Sequence, residues 1–286
     1  MIKKCIVVSL AVALVAGIML LEGCASGQTP DTGTDASSPA PVSAGLDNAL
    51  PEPDTVSPET DTALPGGNEH DNTGTGSTMD DESPGETILL YQGHGSFRVT
   101  TAEGKVIYVD PYAGKGYDLS ADLILITHQH SDHNNIDRII TQNPGCEIIT
   151  EKEALADGNY QVFEFGYVVV EAVEAYNKNH DRSKCVGYIL TFADGVQLYA
   201  SGDTSATAQM ETFAARNLDY ALLCCDGVYN MDLAEASECA ALIGARHSIP
   251  YHIAPGELFS RDLAEQFEAD GRIIVAAGEE IILAGE

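Results

Sequence analysis

At 286 residues the chain has room for one large domain or two small ones, and 14 basic against 44 acidic side chains give it a net charge of −30. That balance argues against a nucleic-acid backbone or an anionic membrane surface as the main electrostatic partner, since both call for clustered Lys and Arg; solubility of an exposed protein accounts for it. Seven cysteines without a Cys-x-x-Cys pair exclude a structural zinc ribbon.

In chain order, residues 1–24 read as a secretion leader. Lys3 and Lys4 precede an apolar run over 6–21, and Leu21-Glu22-Gly23-Cys24 resembles a bacterial lipobox, whose cysteine becomes the lipidated first residue of the mature protein. Glu22 departs from the small or apolar residue usual there. The expected location is outside the cytoplasm, anchored to the bacterial cell membrane through lipidated Cys24. Simple secretion and an uncleaved anchor are the alternatives, the apolar run being marginal for the roughly 20 residues of a spanning helix.

Residues 25–86 are rich in Pro, Gly, Ser, Thr and acidic side chains and contain no Lys, Arg or aromatic residue. Such a segment cannot bury enough apolar surface to offset its ordering entropy, so a disordered, self-repelling tether is expected. His70 falls within it and reads as a bystander.

Residues 87–286 are the expected folded domain. Apolar runs at 88–91, 97–100 and 106–109 predict three strands, with turns at 93–95 and 103–104 and a stop at Asp110-Pro111. A fourth strand at 123–126 is followed by a predicted helix over 134–141, closed by Asn143-Pro144-Gly145. Strands are predicted at 147–150, 160–165, 167–173, 186–192 and 196–199. Helices at 204–215 and 234–243 flank a strand at 220–225. A strand at 247–251, a helix at 261–267 and strands at 273–276 and 281–283 complete the chain. This α/β pattern predicts sheet packed on sheet with helices outside.

The fourth strand runs into His128, His130, Asp132 and His133, a His-x-His-x-Asp-His pattern holding three of the chain's eight histidines. Imidazole nitrogen suits Zn, Fe or Ni and Asp adds an oxygen, so a metal loop is expected. Further ligands should come from other strand ends. His180, Asp203 and His252 follow predicted strands. Each has a plainer reading: His180 as a solvated loop residue among Lys178, Arg182 and Lys184, with Tyr176 nearer the metal; Asp203 as a helix N-cap; His252 as a strand cap. His94 either supports a ligand, gives a proton to a leaving group, or only steadies the Gly93–Gly95 turn. Asp226-Gly227 lines the pocket or makes a plain turn, and His247 lies away from the site. Cys224 and Cys225 read as small hydrophobes. A disulfide among Cys146, Cys185 and Cys239 is left open.

These pieces, from Asp110-Pro111 through Thr127-His-x-His-x-Asp-His, His180, Ser201-Gly202-Asp203-Thr204 and Ile249-Pro250-Tyr251-His252, resemble the metallo-β-lactamase superfamily over residues 87–286. Gly93-His94-Gly95-Ser96-Phe97 and Ala175-Tyr176-Asn177 resemble in particular the metal-dependent hydrolases related to ascorbate-6-phosphate lactonases. The resemblance implies a four-layer αββα sandwich and two divalent ions, zinc first, with manganese or iron as alternatives. It implies His128, His130 and His180 on one ion, Asp132, His133 and His252 on the other, Asp203 bridging, and Asp110 supporting a ligand imidazole from below. It also implies Asp132, Asp203 and His94 as the catalytic set, acting with a metal-activated hydroxide on a small ester, lactone or phosphoester. Where some zinc β-lactamases place a metal-binding Cys, this chain has Asp203, which argues against penicillin hydrolysis of that subtype. Related oxygen- or nitric-oxide-reducing di-iron proteins usually carry Glu where this chain has His130. The remaining alternatives are a phosphodiesterase or nuclease, disfavoured by 12 basic against 30 acidic residues from Thr87 onward, and a tethered non-catalytic metal- or ligand-binding protein. No reading of oligomeric state follows from the sequence.

Overall fold

The computed structural model describes residues 85–285. The leader, Cys24, His70 and nearly all of the expected tether lie outside the described residues. Fourteen strands, three α-helices and two 3-10 stretches follow in the described part. The first sheet takes β1 (Thr87–Gly93), β2 (Ser96–Thr100), β3 (Val106–Val109), β4 (Ala121–Leu125) and β5 (Gln142–Ile149). Then come α1 (Glu151–Ala154), a small hairpin of β6 (Leu155–Ala156) and β7 (Asn159–Tyr160), and the strands β8 (Val162–Phe165), β9 (Val168–Glu174), β10 (Val186–Phe192), β11 (Gln197–Ala200) and β12 (Tyr220–Cys224). The chain closes with α2 (Leu233–Ile243), β13 (His247–Tyr251), α3 (Arg261–Ala264) and β14 (Glu280–Leu283).

The strands form two six-stranded sheets, ordered β14-β1-β2-β3-β4-β5 and β13-β12-β11-β10-β9-β8. Each sheet is an antiparallel meander that turns parallel toward one end: β3, β4 and β5 in the first, β11, β12 and β13 in the second. Alternation along the strands sends Ile107, Val109, Leu123 and Leu125 into the space between the sheets, where they meet Val170, Tyr188, Leu190 and Leu198 of the second sheet. Val106, Tyr108 and Ile124 point the other way, onto Tyr117 and Ile139. Period-two alternation in which both faces are apolar is what a sheet covered on both sides requires. Burying each of these aliphatic side chains contributes about 1.5–3 kcal/mol.

The result is the expected αββα sandwich, with thinner outer layers than the sequence suggested. The helix expected at 134–141 is one 3-10 turn, Ile136–Arg138, and the helix expected at 204–215 is a 3-10 stretch, Ala208–Arg216. Only α2 is long, at 11 residues, with Asp232 as N-cap and Gly244 in the left-handed C-cap position. It lays Ala236, Cys239, Ala240 and Ile243 onto the second sheet. Asn143-Pro144-Gly145 does not end an element but runs inside β5, an edge strand where proline is tolerated. Residues 273–276 form no strand; a single bridge from Arg272 to Ser248 stands there. The described cysteines, Cys146, Cys185, Cys224, Cys225 and Cys239, are all free thiols.

Candidate metal centre

Parallel strands put their C-terminal ends on one edge, and that edge is where loop residues converge in open α/β sheets. Here Asp110 follows β3, the His128–His133 loop follows β4, Asp203 follows β11, Asp226 follows β12 and His252 follows β13. His180 arrives on the β9–β10 connection and His94 on the β1–β2 turn. The structure therefore brings together every ligand-type residue singled out from the sequence. His247 stays away, at the start of β13, with its ring against Tyr220 and Nδ1 near the Gly271 carbonyl.

Three histidines are held by their Nδ1 atoms. His133 Nδ1 is 2.9 Å from Asp110 Oδ2. Asp110 also accepts the Thr127 N–H at 2.7 Å and the Thr127 hydroxyl at 2.6 Å. Since that hydroxyl gives its proton to Asp110, the His128 Nδ1 atom 3.0 Å away is the one that donates to it. His180 Nδ1 is 2.9 Å from Asn177 Oδ1. Each of these contacts places a proton on Nδ1 and turns Nε2 inward. His252 faces Asp226 without a hydrogen bond, its Nδ1 lying 3.5 Å from Asp226 Oδ2.

Asp203 stands where the Nε2 atoms meet. Its Oδ2 lies 3.3 Å from His180 Nε2, 3.5 Å from His133 Nε2 and 3.6 Å from His252 Nε2. Buried and without a hydrogen-bond partner are the Nε2 atoms of His128, His133 and His252 and Oδ1 of Asp203. Inward Nε2 atoms facing a buried carboxylate are satisfied by a metal ion between them or, at His133, by a proton. The donor set of imidazole nitrogen and carboxylate oxygen fits a borderline ion such as zinc. Three groups among the described residues satisfy metal-ligand spacing: His128, His130 and His180; His94, Asp132, His133 and His252; and Asp110, His128 and His133.

Electrostatics follow the same division. Burial opposes charge on His133, but Asp203 and then Asp110 outweigh it and push the imidazole up to about 9. Burial drives His128 down to about 2, helped by the charge on His133. Burial would raise Asp203, yet His133, His252, His128 and His180 together hold it well below the usual carboxylate range. Burial alone pushes the Asp110 carboxyl up; the three donors aimed at it require it to act as the acceptor.

His94 packs on the opening. Its Nε2 is 3.1 Å from Asp132 Oδ2, and its ring lies 3.8 Å from the His252 ring. That bond assigns His94 to orienting Asp132 and holds Asp132 below the usual carboxylate range. His94, Asp110 and His252 all have positive φ, at 52°, 46° and 45°. Three strained non-glycine residues around one centre mark a backbone shaped for its ligands. Gly95 is needed for packing: a Cβ there would stand 2.6 Å from His133 Cε1. Gly202, at φ 61°, would drive a Cβ to 2.6 Å from the Val186 carbonyl and so turns the chain into Asp203. The Tyr91 hydroxyl, on β1, bonds the His94 carbonyl at 2.9 Å and takes the His252 N–H at 3.3 Å.

Asn177, Thr127 and Asp226 are supporting residues whose roles the sequence did not disclose, although an acceptor three residues before a ligand histidine and a threonine beside one are the available signals. Asn177 bends the loop onto itself: its Oδ1 also takes the His180 N–H at 3.0 Å. The turn leaves Lys178 and Asn179 exposed and buries His180, so the solvated-loop alternative falls and Tyr176 stays back, under Arg182. A cavity of about 220 Å³ opens over His94, Asp132, Asp203 and His252, with Tyr229 on its wall. A second, of about 700 Å³, adjoins His128 and His180 and reaches Lys152 and Lys184.

The sequence profile described as Beta-lactamase superfamily domain matches residues 89–252, which span every site residue above. A metal-dependent hydrolase of Nitratidesulfovibrio vulgaris is 30% identical over 193 residues, a match covering 58% of this chain and 80% of the relative. A metal-dependent hydrolase of Pyrococcus furiosus is 31% identical over 190 residues, covering 57% of this chain and 83% of the relative. The solved structure of a metallo hydrolase from the archaeon Ignicoccus hospitalis shares the fold, with a TM-score of 0.54 at 23% identity over 70% of this chain and 99% of that one. The chain belongs to the β-lactamase superfamily and stands among its metal-dependent hydrolases.

Proposed function

We propose that the centre holds two divalent ions, zinc first, and hydrolyses a small ester, lactone or phosphoester. His128, His130 and His180 hold one ion, Asp132, His133 and His252 the other, and Asp203 lies between them. The observation that carries this reading is the position of Asp203 Oδ2, within 3.6 Å of Nε2 atoms from both groups. When bound, such a pair supplies Lewis acidity and an ionised water near neutral pH. Asp132, 41% exposed toward the opening, is the carboxylate placed to take a proton from the attacking water. His94 keeps it turned that way. Buried His133 and His252 exclude solvent from the inner wall, so charge that develops on the substrate is stabilised at low dielectric.

The test is metal analysis of the full chain together with a screen of ester, lactone, phosphodiester, thioester and β-lactam substrates. Two ions per chain and turnover lost both on chelation and in His128→Ala are expected. Fewer than two ions, or turnover that survives both treatments, would sink it. A phosphodiester substrate has one observation in its favour, Lys152 and Lys184 beside the larger cavity; turnover falling steeply with salt would carry that reading. The leader and Cys24 support a lipid-anchored protein outside the cytoplasm, and Cys24→Ser is expected to move the chain from the membrane fraction to the soluble one.

A further inference from the structure

Ten large apolar side chains are exposed among the described residues, and four of them, Tyr112, Val228, Tyr229 and Leu258, sit on three loops that leave the centre. Single exposed hydrophobics are ordinary; several gathered at one opening are not. Tyr112 follows Asp110 by two residues, and its ring stands 5.7 Å from the His94 ring. Leu258 gives its carbonyl to the His94 N–H at 2.8 Å. Tyr229 lines the 220 Å³ cavity directly.

The backbone of Tyr229 is pinned on both sides by residues that also face ligands. Its N–H goes to Asp226 Oδ1 at 2.7 Å, and its carbonyl takes Asn179 Nδ2 at 2.8 Å and Asn177 Nδ2 at 3.0 Å. Yet 55% of the residue is exposed. A rigid backbone presenting a free aromatic face gives contact area at little entropic cost. No lysine or arginine among the described residues lines this cavity, so it offers a phosphate or carboxylate group no fork or ammonium partner. At about 220 Å³ it takes a small substituent, while the larger cavity adjoins it at His130, Asn179 and His180.

We propose that Tyr229, with Tyr112 and Leu258, forms an apolar collar that selects an uncharged alkyl or aryl substituent on the substrate, an acyl ester or a lactone with a hydrocarbon side chain. This rests on the hydrolase reading above, and the test separates the two. The zinc-loaded full chain is assayed on p-nitrophenyl acetate, butyrate and hexanoate and on p-nitrophenyl phosphate. In parallel, binding of the straight-chain alcohols from butanol to octanol is measured by calorimetry. In the wild type both kcat/KM and affinity rise about three- to four-fold per methylene until the cavity fills. Tyr229→Ala flattens both gradients, Leu258→Ala weakens them, and Tyr229→Phe keeps them. An alcohol gradient without turnover of any ester upholds the collar and overturns the hydrolase reading. Turnover with no gradient in either measurement, a preference for the phosphate ester, or full gradients in Tyr229→Ala overturn the collar. A gradient lost in Tyr229→Phe also overturns it, by assigning the effect to the hydroxyl.

Discussion

On one side of Asp203, His128 and His180 lean on neutral partners, the Thr127 hydroxyl and the Asn177 amide, and His130 stands exposed. On the other, His133 leans on the Asp110 carboxylate, His252 faces Asp226, and both rings are buried. An imidazole whose N–H is given to a carboxylate is a stronger donor than one given to an amide or hydroxyl. The comparison teaches that ligand type alone does not set affinity. Both groups are rich in histidine, yet on the two-ion reading proposed above the His133 side is expected to bind its ion more tightly and the His128 side, open to the larger cavity, to exchange.

Asp203 belongs to both sides, so its loss should have the largest effect. Asp203→Ala is expected to empty the whole centre, a drop beyond the roughly 10–100-fold usual for a supporting residue; metal analysis after dialysis checks it, and retention of one tight ion would break the picture of a shared carboxylate. Next, Asp110→Asn should weaken the ion on the His133 side about 10-fold or more and the ion on the His128 side less, since Asp110 reaches His128 only through Thr127, and Asn177→Asp should tighten the latter. Titration against chelators of graded affinity reads both constants; equal changes on the two sides would erase the distinction. The smallest effect is expected at the far end of β4, where Asp122 accepts the Val106 N–H at 3.0 Å and pairs with Lys105 at 3.0 Å. Burial works against its charge, but these donors outweigh it and hold the carboxyl below its usual value. A folded pKa below the unfolded value of about 3.9 stabilises above that pH, and the gain is lost as pH falls through the folded value. Asp122→Asn should therefore cost under about 1 kcal/mol at pH 7, less still near pH 3, and leave both metal constants unchanged. Urea melts at the two pH values test this, and a shift in metal affinity would show that the two ends of the strand are coupled.

The sheets were legible because β1, β3, β4, β10 and β12 each carry a short apolar run, which is how a strand covered on both faces looks. The ligands were legible because four of them lie within six residues and the rest follow strand ends. The outer layers were not. Residues 134–141 are mostly Asn and β-branched Ile and Thr, weak helix formers, and hold one 3-10 turn, while 204–215 begins with Thr-Ser-Ala-Thr and is helical, as 3-10, only from Ala208. The four-residue α1 is set by the Thr150–Glu153 capping box, a signal lying between two apolar segments and too short to stand out. Asn143-Pro144-Gly145 suggests a turn on local chemistry and makes a bulge-like break inside β5, where the register with β4 steps from Gln142 to Glu147. The supporting shell was hidden for another reason: Asp110 reaches His133 across 23 residues, and Asp226 reaches His252 across 26. Local spacing carries no trace of such contacts.

The Tyr91 hydroxyl has a mechanical consequence. It sits on a strand of the first sheet and ties the backbone of His94 to that of His252, which ends a strand of the second. The His252 N–H also reaches the His94 carbonyl directly at 3.0 Å. The sandwich is thus stitched shut at the edge where its ligands emerge. Breathing that admits substrate cannot come from the sheets parting there; it is left to side-chain rotation and to the loop tips that carry Tyr112, Tyr229 and Leu258.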